Sequence, residues 1–358
     1  MLPLYVAVTA HGFGHITRTA AVVQTLLDLD AEVLPIFVTP APRWLIDKYV
    51  SGHYLYRPRR LDIGVIQQDS LGMDLSRTQR DLEDLRLRSD VVIRSEVEFC
   101  RLNQVRLVFG DIPPLAVAIA HAAGIPCWME GNFGWDFIYQ DFGMAFEGSV
   151  AWIQSLYQHC DRLFHLPFHE PMTVFPHRET IGLTGGDPSL SAIDVRNKIG
   201  LDPNHAVTLL SFGGYGLNAF PYHRVADHPD HTFITLDASA PDLPNLIKLD
   251  GKIWRPVDLM PVCQEVITKP GYSTLSEAMR IGIPITCITR DGFSEADLLL
   301  TGLRDHSFHK VVTADAFFGD PWDFCQQPYQ APLQSDPLPQ NGNRVIAEAI
   351  LNYLHSAS

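Results

Sequence analysis

The stretch from Glu265 to Pro284 restricts the fold more than any other part of the chain, because it reads strand, tight turn, helix and strand in unbroken order. Val266 and Ile267 make the apolar centre of a buried strand. Pro270 ends it, since proline cannot donate to a ladder, and Gly271 permits a sharp turn. Thr274-Leu-Ser-Glu277 has the spacing of a capping box and predicts that a helix starts there. Gly282 and Pro284 stop the helix, and Ile285 to Thr289 reads as the next buried strand. A glycine turn at a helix N-terminus, beyond the C-terminal end of a parallel strand, is where open α/β sheets bind ligands. Its free N–H groups and the helix dipole suit a phosphate. The same residues also read as an ordinary βαβ unit in which Glu277 only caps its own helix.

A second turn of this kind opens the chain. Leu4 to Val8 is a buried strand, Thr9-Ala-His-Gly-Phe-Gly-His15 is its loop, and a helix follows from about Thr17 to Leu29. The loop lacks the third glycine of the dinucleotide fingerprint, so a nicotinamide cofactor is not expected. Further strands are predicted at Val33 to Val38, Arg106 to Phe109, Gly124 to Met129 and Arg162 to Leu166. Helices are predicted over Ser76 to Gln104, Leu115 to Ala123 and Val150 to Cys160. Little periodicity follows until the β/α pattern restarts with Ala206 to Phe212 and the loop Gly213-Gly-Tyr-Gly216, then strands at His231 to Leu236 and Leu246 to Leu249. Residues 321–339 are proline-rich and expected to be extended, and Asn343 to Leu354 is a last helix. The expected domains are 1–178 and 201–335, joined by a linker over 179–200, with 336–358 as a C-terminal helix. Both halves place glycine loops at strand C-termini, and two such halves facing each other would line a cleft.

The length of 358 residues suits about two domains. A net charge of −14 argues against nucleic acid as a partner, leaving only a local basic patch at Arg57, Arg59 and Arg60. The six cysteines form no C-x-x-C and several sit in apolar runs, which fits buried thiols in a reducing compartment. No apolar run approaches the ~20 residues of a membrane span, and the N-terminus reads as a strand rather than a signal peptide. A cytoplasmic protein is the expectation; the oligomeric state is not legible.

Phe212-Gly-Gly, Lys269-x-Gly-Tyr-Ser-Thr-x-Ser-Glu277 and His11-Gly-Phe-Gly-His15 resemble nucleotide-sugar glycosyltransferases of the GT-B fold, in the branch that adds N-acetylglucosamine to lipid I. The chain is also similar, over nearly its whole length, to the glycosyltransferase-like N-terminal region of plant L-arabinokinases. There the shared pattern is Thr9-x-His-Gly-Phe-Gly-His15, Asn132-Phe-x-Trp-Asp-Phe-Ile-Tyr139 and Gly271-Tyr-x-Thr-x-Ser-Glu-Ala278. The sugar-kinase region of those proteins has no counterpart in these residues, so kinase activity is not carried over. The resemblance implies an α/β protein of GT-B architecture: two Rossmann-like domains, the donor held by the second, the acceptor side on the first, and a final helix crossing back to the first. It also implies catalysis without a bound metal, and the sequence has no spaced ligand set. His11 and His15 are four apart, but the glycines between them argue against a zinc-binding helix.

Transfer from a nucleoside diphosphate sugar requires stabilisation of the departing diphosphate and removal of the acceptor proton. Gly271, Tyr272, Ser273 and Thr274 can offer backbone and dipole, Gly213 and Gly214 a second cradle, and Lys269 or Arg290 a positive charge. The resemblance assigns Glu277 to the ribose hydroxyls, and Glu295 with Asp297, beside Phe293, to the donor sugar, although Ser294-Glu-Ala-Asp297 reads equally as the first turn of a helix favoured by its dipole. His11, Gly12, Phe13, Gly14, Asn132 and Trp135 fall on the acceptor side. His15 is the candidate general base, since an imidazole suits proton transfer at neutral pH. Its other reading is a loop histidine bonded to backbone. Asp111 and Asp136 are each expected at a strand end, either to orient His15 or to be the base. Trp135 and Tyr139 read as a sugar platform or as packing. The expected activity is metal-independent glycosyl transfer from a UDP-sugar to an unidentified hydroxyl, with no cofactor. The alternatives are a nucleotide-sugar epimerase or hydrolase, or a non-catalytic sugar-nucleotide binder.

Overall fold

The chain was described as a computed structural model, which covers every residue except 68–70, 203–204, 215, 218–219, 320 and 357–358. Tyr215 of the second glycine loop lies outside the described residues. The chain divides into two compact units. The first holds residues 1–68, 73–185 and 339–358; the second holds 69–72 and 186–338.

In the first unit the chain runs β1 (Leu2–Val8), α1 (Gly14–Leu29), β2 (Val33–Val38), α2 (Arg43–Asp47), β3 (Leu55–Arg57), α3 (Leu75–Leu102), β4 (Leu107–Asp111), α4 (Pro114–Ala123), β5 (Cys127–Gly131), α5 (Trp135–Gln140), α6 (Glu147–Tyr157), β6 (Arg162–His165) and β7 (Arg178–Thr180). All seven strands are parallel, in the order β3-β2-β1-β4-β5-β6-β7. The apolar runs predicted this: Leu4 to Val8, Leu107 to Phe109 and Ile36 to Val38 are fully buried, as strands covered on both faces must be. Strand order reverses between β1 and β4, which places the switch point at the ends of Val8 and Asp111.

The second unit runs α7 (Ala192–Ile199), β8 (Ala206–Ser211), β9 (His231–Thr235), β10 (Leu246–Lys248), α8 (Pro256–Leu259), β11 (Glu265–Thr268), α9 (Tyr272–Ile281), β12 (Ile285–Ile288), α10 (Glu295–His306), β13 (His309–Val312) and α11 (Ala314–Gly319). Its six parallel strands take the order β10-β9-β8-β11-β12-β13, so its switch point lies between the ends of β8 and β11. The first unit then receives α12 (Gly342–Ser356), which packs against α1.

Several expectations change. The expected linker over 179–200 is divided: residues through Gly185 belong to the first unit and α7 to the second. The crossing-out and crossing-back segments lie side by side within the first unit. Leu183 N donates to Pro339 O (2.8 Å), Gly342 N to Leu183 O (3.2 Å), and Asn343 clamps the Gly185 backbone through both ends of its amide. A Cβ on Gly342 would stand 2.3 Å from Gly182 O, so only glycine fits. The stretch 321–339 is not extended throughout. A short 3₁₀ turn at Asp323–Gln326 seats Trp322 and Phe324 against Phe233 and Phe317 of the second core. The basic patch is partly spent, because Arg57 and Arg59 both bond the fully buried Glu96.

Candidate functional site

In the first unit the switch point is filled by paired side chains. Gly12, at φ 71, turns the chain between β1 and α1, and Gly14 opens the helix. His15, Arg18 and Thr19 therefore leave the first turns of α1 toward the end of β4. His15 Nδ1 lies 2.9 Å from Asp111 Oδ1. Arg18 grips the same carboxylate with two bonds, Nε to Oδ2 (2.6 Å) and Nη2 to Oδ1 (2.7 Å), and sends Nη1 to Asn132 Oδ1 (2.9 Å). Thr19 Oγ1 stands 3.3 Å from Asp111 Oδ2 and 2.9 Å from Glu130 Oε1. Arg18, Asp111, Glu130 and Asn132 are all essentially inaccessible to water.

Burial pushes the Asp111 carboxyl upward, but the Arg18 guanidinium and then the His15 imidazole outweigh it and hold Asp111 well below the usual carboxylate range. The backbone behind Asp111 is strained. Ile112 has φ 59, an outlier for a β-branched residue, and is held there by the bond from Tyr157 Oη to its carbonyl (2.7 Å).

His15 Nδ1 is also 3.1 Å from Arg18 Nη2. One ring nitrogen cannot both donate to Asp111 and accept from Arg18. The shorter, charge-assisted contact is the one to Asp111. It puts the proton on Nδ1 and leaves the lone pair on Nε2, which engages no partner among the described residues.

Around this centre, Trp135 stacks on Tyr139 (ring centroids 5.7 Å apart), meets His11 edge to face (5.2 Å), and donates Nε1 to Asp62 Oδ2 (2.9 Å). Burial pushes the Asp62 carboxyl up to about 6. Trp135 is 0% and Tyr139 1% exposed, so this pair is packing and leaves a sugar no platform. His11 is held by Val65, its Nδ1 meeting both the backbone N (3.2 Å) and O (3.1 Å). Phe13 packs edge-on to Trp44.

Asp136 is not at a strand end. Strand β5 stops at Gly131, and Asp136 lies in the first turn of α5, folded back over Gly134 and bonded by Gln154 (3.2 Å). Burial raises its carboxyl, and its bonds are local. Arg18, Thr19, Glu130 and Asp62 were missed by sequence reading. The only signal was a charge in otherwise apolar runs, as in Cys127-Trp-Met-Glu130, and nothing local says which other strand or helix meets it.

In the second unit the switch point is mostly backbone, joined by one buried hydroxyl, Thr268 Oγ1, which donates to Ser211 O (2.6 Å). Gly213 has φ 71, and a Cβ there would sit 3.7 Å from Lys269 Cε, so the lysine stem runs beside the first loop. Gly271 is the extended N-cap of α9, with no side-chain cap on the helix, and a Cβ on it would meet nothing nearer than Lys269 O at 4.0 Å. Helix N-termini leave their first N–H groups without intrahelical partners; here those groups belong to the first turn, Tyr272 to Thr274. Gly214 is exposed, and Tyr272 and Ser273 are buried.

The predicted capping box does not form. Gly271 already caps the helix, which puts Thr274 and Glu277 a turn too late. Glu277 instead accepts from Gly186 N (3.0 Å), and burial pushes its carboxyl up to about 7. Beyond β12, Arg290 is buried with its guanidinium 4.2 Å from the Phe293 ring centroid. Glu295 and Asp297 both fall in the first turn of α10, Glu295 buried and Asp297 exposed.

No family model matches the chain. Over 303 residues it is 31% identical to L-arabinokinase of Arabidopsis thaliana. That match takes in 82% of this chain and 28% of the relative, so the chain spans little more than a quarter of that protein. Among solved structures, the glycosyltransferase SnogD of Streptomyces nogalater superposes over the whole of both chains with a TM-score of 0.59 at 16% identity. UGT71G1 of Medicago truncatula, complexed with UDP-glucose, matches with a TM-score of 0.57 at 11% identity, covering 97% of this chain and 93% of that one. The fold is the two-domain α/β GT-B fold, and the resemblance to L-arabinokinase holds along most of the sequence. No helix among the described residues is long and apolar enough to cross a membrane.

Proposed function

We propose that this chain is a glycosyltransferase that moves a sugar from a UDP-sugar to an acceptor hydroxyl, without a bound metal. The observation that carries the reading is His15 bonded through Nδ1 to a buried, Arg18-held Asp111 at a switch point, on a fold shared with glycosyltransferases. Asp111 fixes the tautomer, so Nε2 is the base. The acceptor oxygen attacks the anomeric carbon as its proton passes to Nε2. The bond from that carbon to the diphosphate breaks, and UDP leaves with the electron pair. Asp111 then steadies the imidazolium.

The second unit takes the donor. The first-turn N–H groups of α9, its dipole, the Gly213 loop and Lys269 meet the diphosphate charge. Glu277 serves the ribose, and Arg290, Phe293, Glu295 and Asp297 border the sugar. The UDP-glucose held by a fold neighbour supports uridine as the nucleoside.

Thermal unfolding of the full chain in EDTA, with UDP, UDP-sugars and ADP added in turn, tests the donor side. UDP and at least one UDP-sugar should raise the melting temperature, by mass action on the native state, and ADP should not. A melting temperature that no nucleotide moves would sink the proposal, and a rise that needs magnesium or manganese would sink its metal-free part.

A further inference from the structure

Glu130, one residue before the end of β5, lies directly beside Asp111 at the end of β4, and the two are register partners. Water reaches neither. The two carboxyls are treated differently by everything around them. Arg18 and His15 both bond Asp111, and neither bonds Glu130. Glu130 has one hydrogen bond, between Oε1 and Thr19 Oγ1, and Oε2 has no partner among the described residues. An ionised carboxylate is an acceptor with about four lone-pair sites. Buried, half-satisfied and next to a second carboxylate, it is heavily penalised. A neutral acid is not, because its bare Oε2 is then an ordinary carbonyl oxygen.

Thr19 decides the direction of the bonds. Its hydroxyl has a single proton and lies between Asp111 Oδ2 and Glu130 Oε1. It donates to one and accepts from the other. Asp111 is the carboxylate; a protonated Glu130 can fill the Thr19 lone pair and leave the Thr19 proton to Asp111, whereas an ionised Glu130, at 2.9 Å against 3.3 Å, would take that proton for itself.

We propose that Glu130 is a neutral carboxylic acid and a positioning residue, the far end of a chain Glu130 O–H to Thr19 O–H to Asp111, which in turn accepts Nδ1–H of His15 and so keeps Nε2 open. The proposal rests on the reading of His15 as base. The charged and titratable groups facing Glu130 are Asp111 from β4 and Arg18 from α1, with His15 beyond Asp111. Burial, and then the Asp111 charge, push the Glu130 carboxyl up to about 8, with the Arg18 charge pulling the other way. The chain is therefore intact at neutral pH. Above that range Glu130 ionises and claims the Thr19 proton, which leaves Asp111 and changes the field at His15.

The test reads the His15 imidazole by NMR in the ligand-free full chain from about pH 5 to about pH 10, its resonance identified by its loss in His15→Gln. The wild-type resonance should carry an inflection near pH 8, where Glu130 titrates. Glu130→Gln, whose amide donates to Thr19 at every pH, should remove it. Absence of that inflection in the wild type, or its persistence in Glu130→Gln, overturns the proposal.

Stability gives a second readout. The folded state favours the protonated acid, so the stability Glu130 provides below its unfolded range of about 4.3 is lost as pH rises toward 8. The melting-temperature difference should therefore move in favour of Glu130→Gln across that window and level off above it. A difference that stays constant across the window also overturns the proposal. If Glu130→Gln does not fold, Thr19→Val cuts the chain at its middle and must likewise abolish the alkaline inflection. None of these readouts needs transfer. Normal transfer by a folded His15→Gln enzyme would remove the base assignment while the alkaline inflection of the wild type still stood.

Discussion

The two units share one strand order and put opposite materials at the same place. At the first switch point, between β1 and β4, side chains fill the space: His15, Arg18, Asp111 and, beside them, Glu130, all buried and bonded to one another or through Thr19. At the second, between β8 and β11, stand the backbone of Gly213 and Gly271, the Thr268 hydroxyl bonded to Ser211 O, and the N-terminus of α9. The topology fixes only where a site can lie. What it can do depends on whether titratable side chains or peptide groups occupy it. In the proposed reading, the first arrangement moves a proton and the second receives negative charge.

The sharpest way to break this contrast is His15→Ala. If the first unit supplies the base, turnover should fall by roughly 10²–10⁴-fold while UDP affinity, measured by calorimetry, barely changes. Loss of UDP binding instead would mean that the first loop belongs to the donor, and the division of labour would be wrong.

Arg18→Met comes next. It leaves buried Asp111 without its bidentate partner and should cost about 3–5 kcal/mol of stability by denaturant unfolding. A loss below about 1 kcal/mol would show that the first switch point is far better hydrated than its burial indicates.

Gly271→Ala probes the second unit. The φ of Gly271, −147°, is extended backbone, and the new Cβ meets nothing closer than 4.0 Å, so folding should be unaffected. The methyl group would stand in the cradle and weaken UDP binding, by an amount on the order of tenfold or about 1.4 kcal/mol. Unchanged affinity would move the diphosphate away from the α9 terminus.

Glu277→Gln gives the most pH-dependent effect, absent at low pH. Burial lifts the folded carboxyl to about 7, so the stability it provides below an unfolded value of about 4.3 is lost as pH rises through that window. Relative to wild type, Glu277→Gln should gain about 1–3 kcal/mol between those limits and nothing more above them. If Glu277 also holds the ribose, UDP affinity drops in the same variant. Intact affinity would leave only its bond to Gly186.

Much of this was legible in the chain. Periodicity and breakers located nearly all the long elements, and the glycine loops marked both switch points, because buried parallel strands need continuous apolar runs and tight strand-to-helix turns need glycine. The short edge strand Leu55–Arg57 and the edge strand His309–Val312 were not legible, since neither carries a buried apolar run of any length. The capping box was a false local signal: Thr274 and Glu277 have the right spacing, but Gly271 starts the helix three residues earlier.

The sequence by itself determined the class of fold, the positions of both loops, and His15 and Asp111 as residues at strand and helix ends. Only the tertiary structure decided which groups meet. Arg18 is 93 residues from Asp111 and Thr19 is 111 from Glu130, and only strand register sets Glu130 beside Asp111. Asp111 stays ionised and Glu130 takes a proton because one guanidinium reaches the first carboxyl and not the second, a matter of packing distance that no local pattern records.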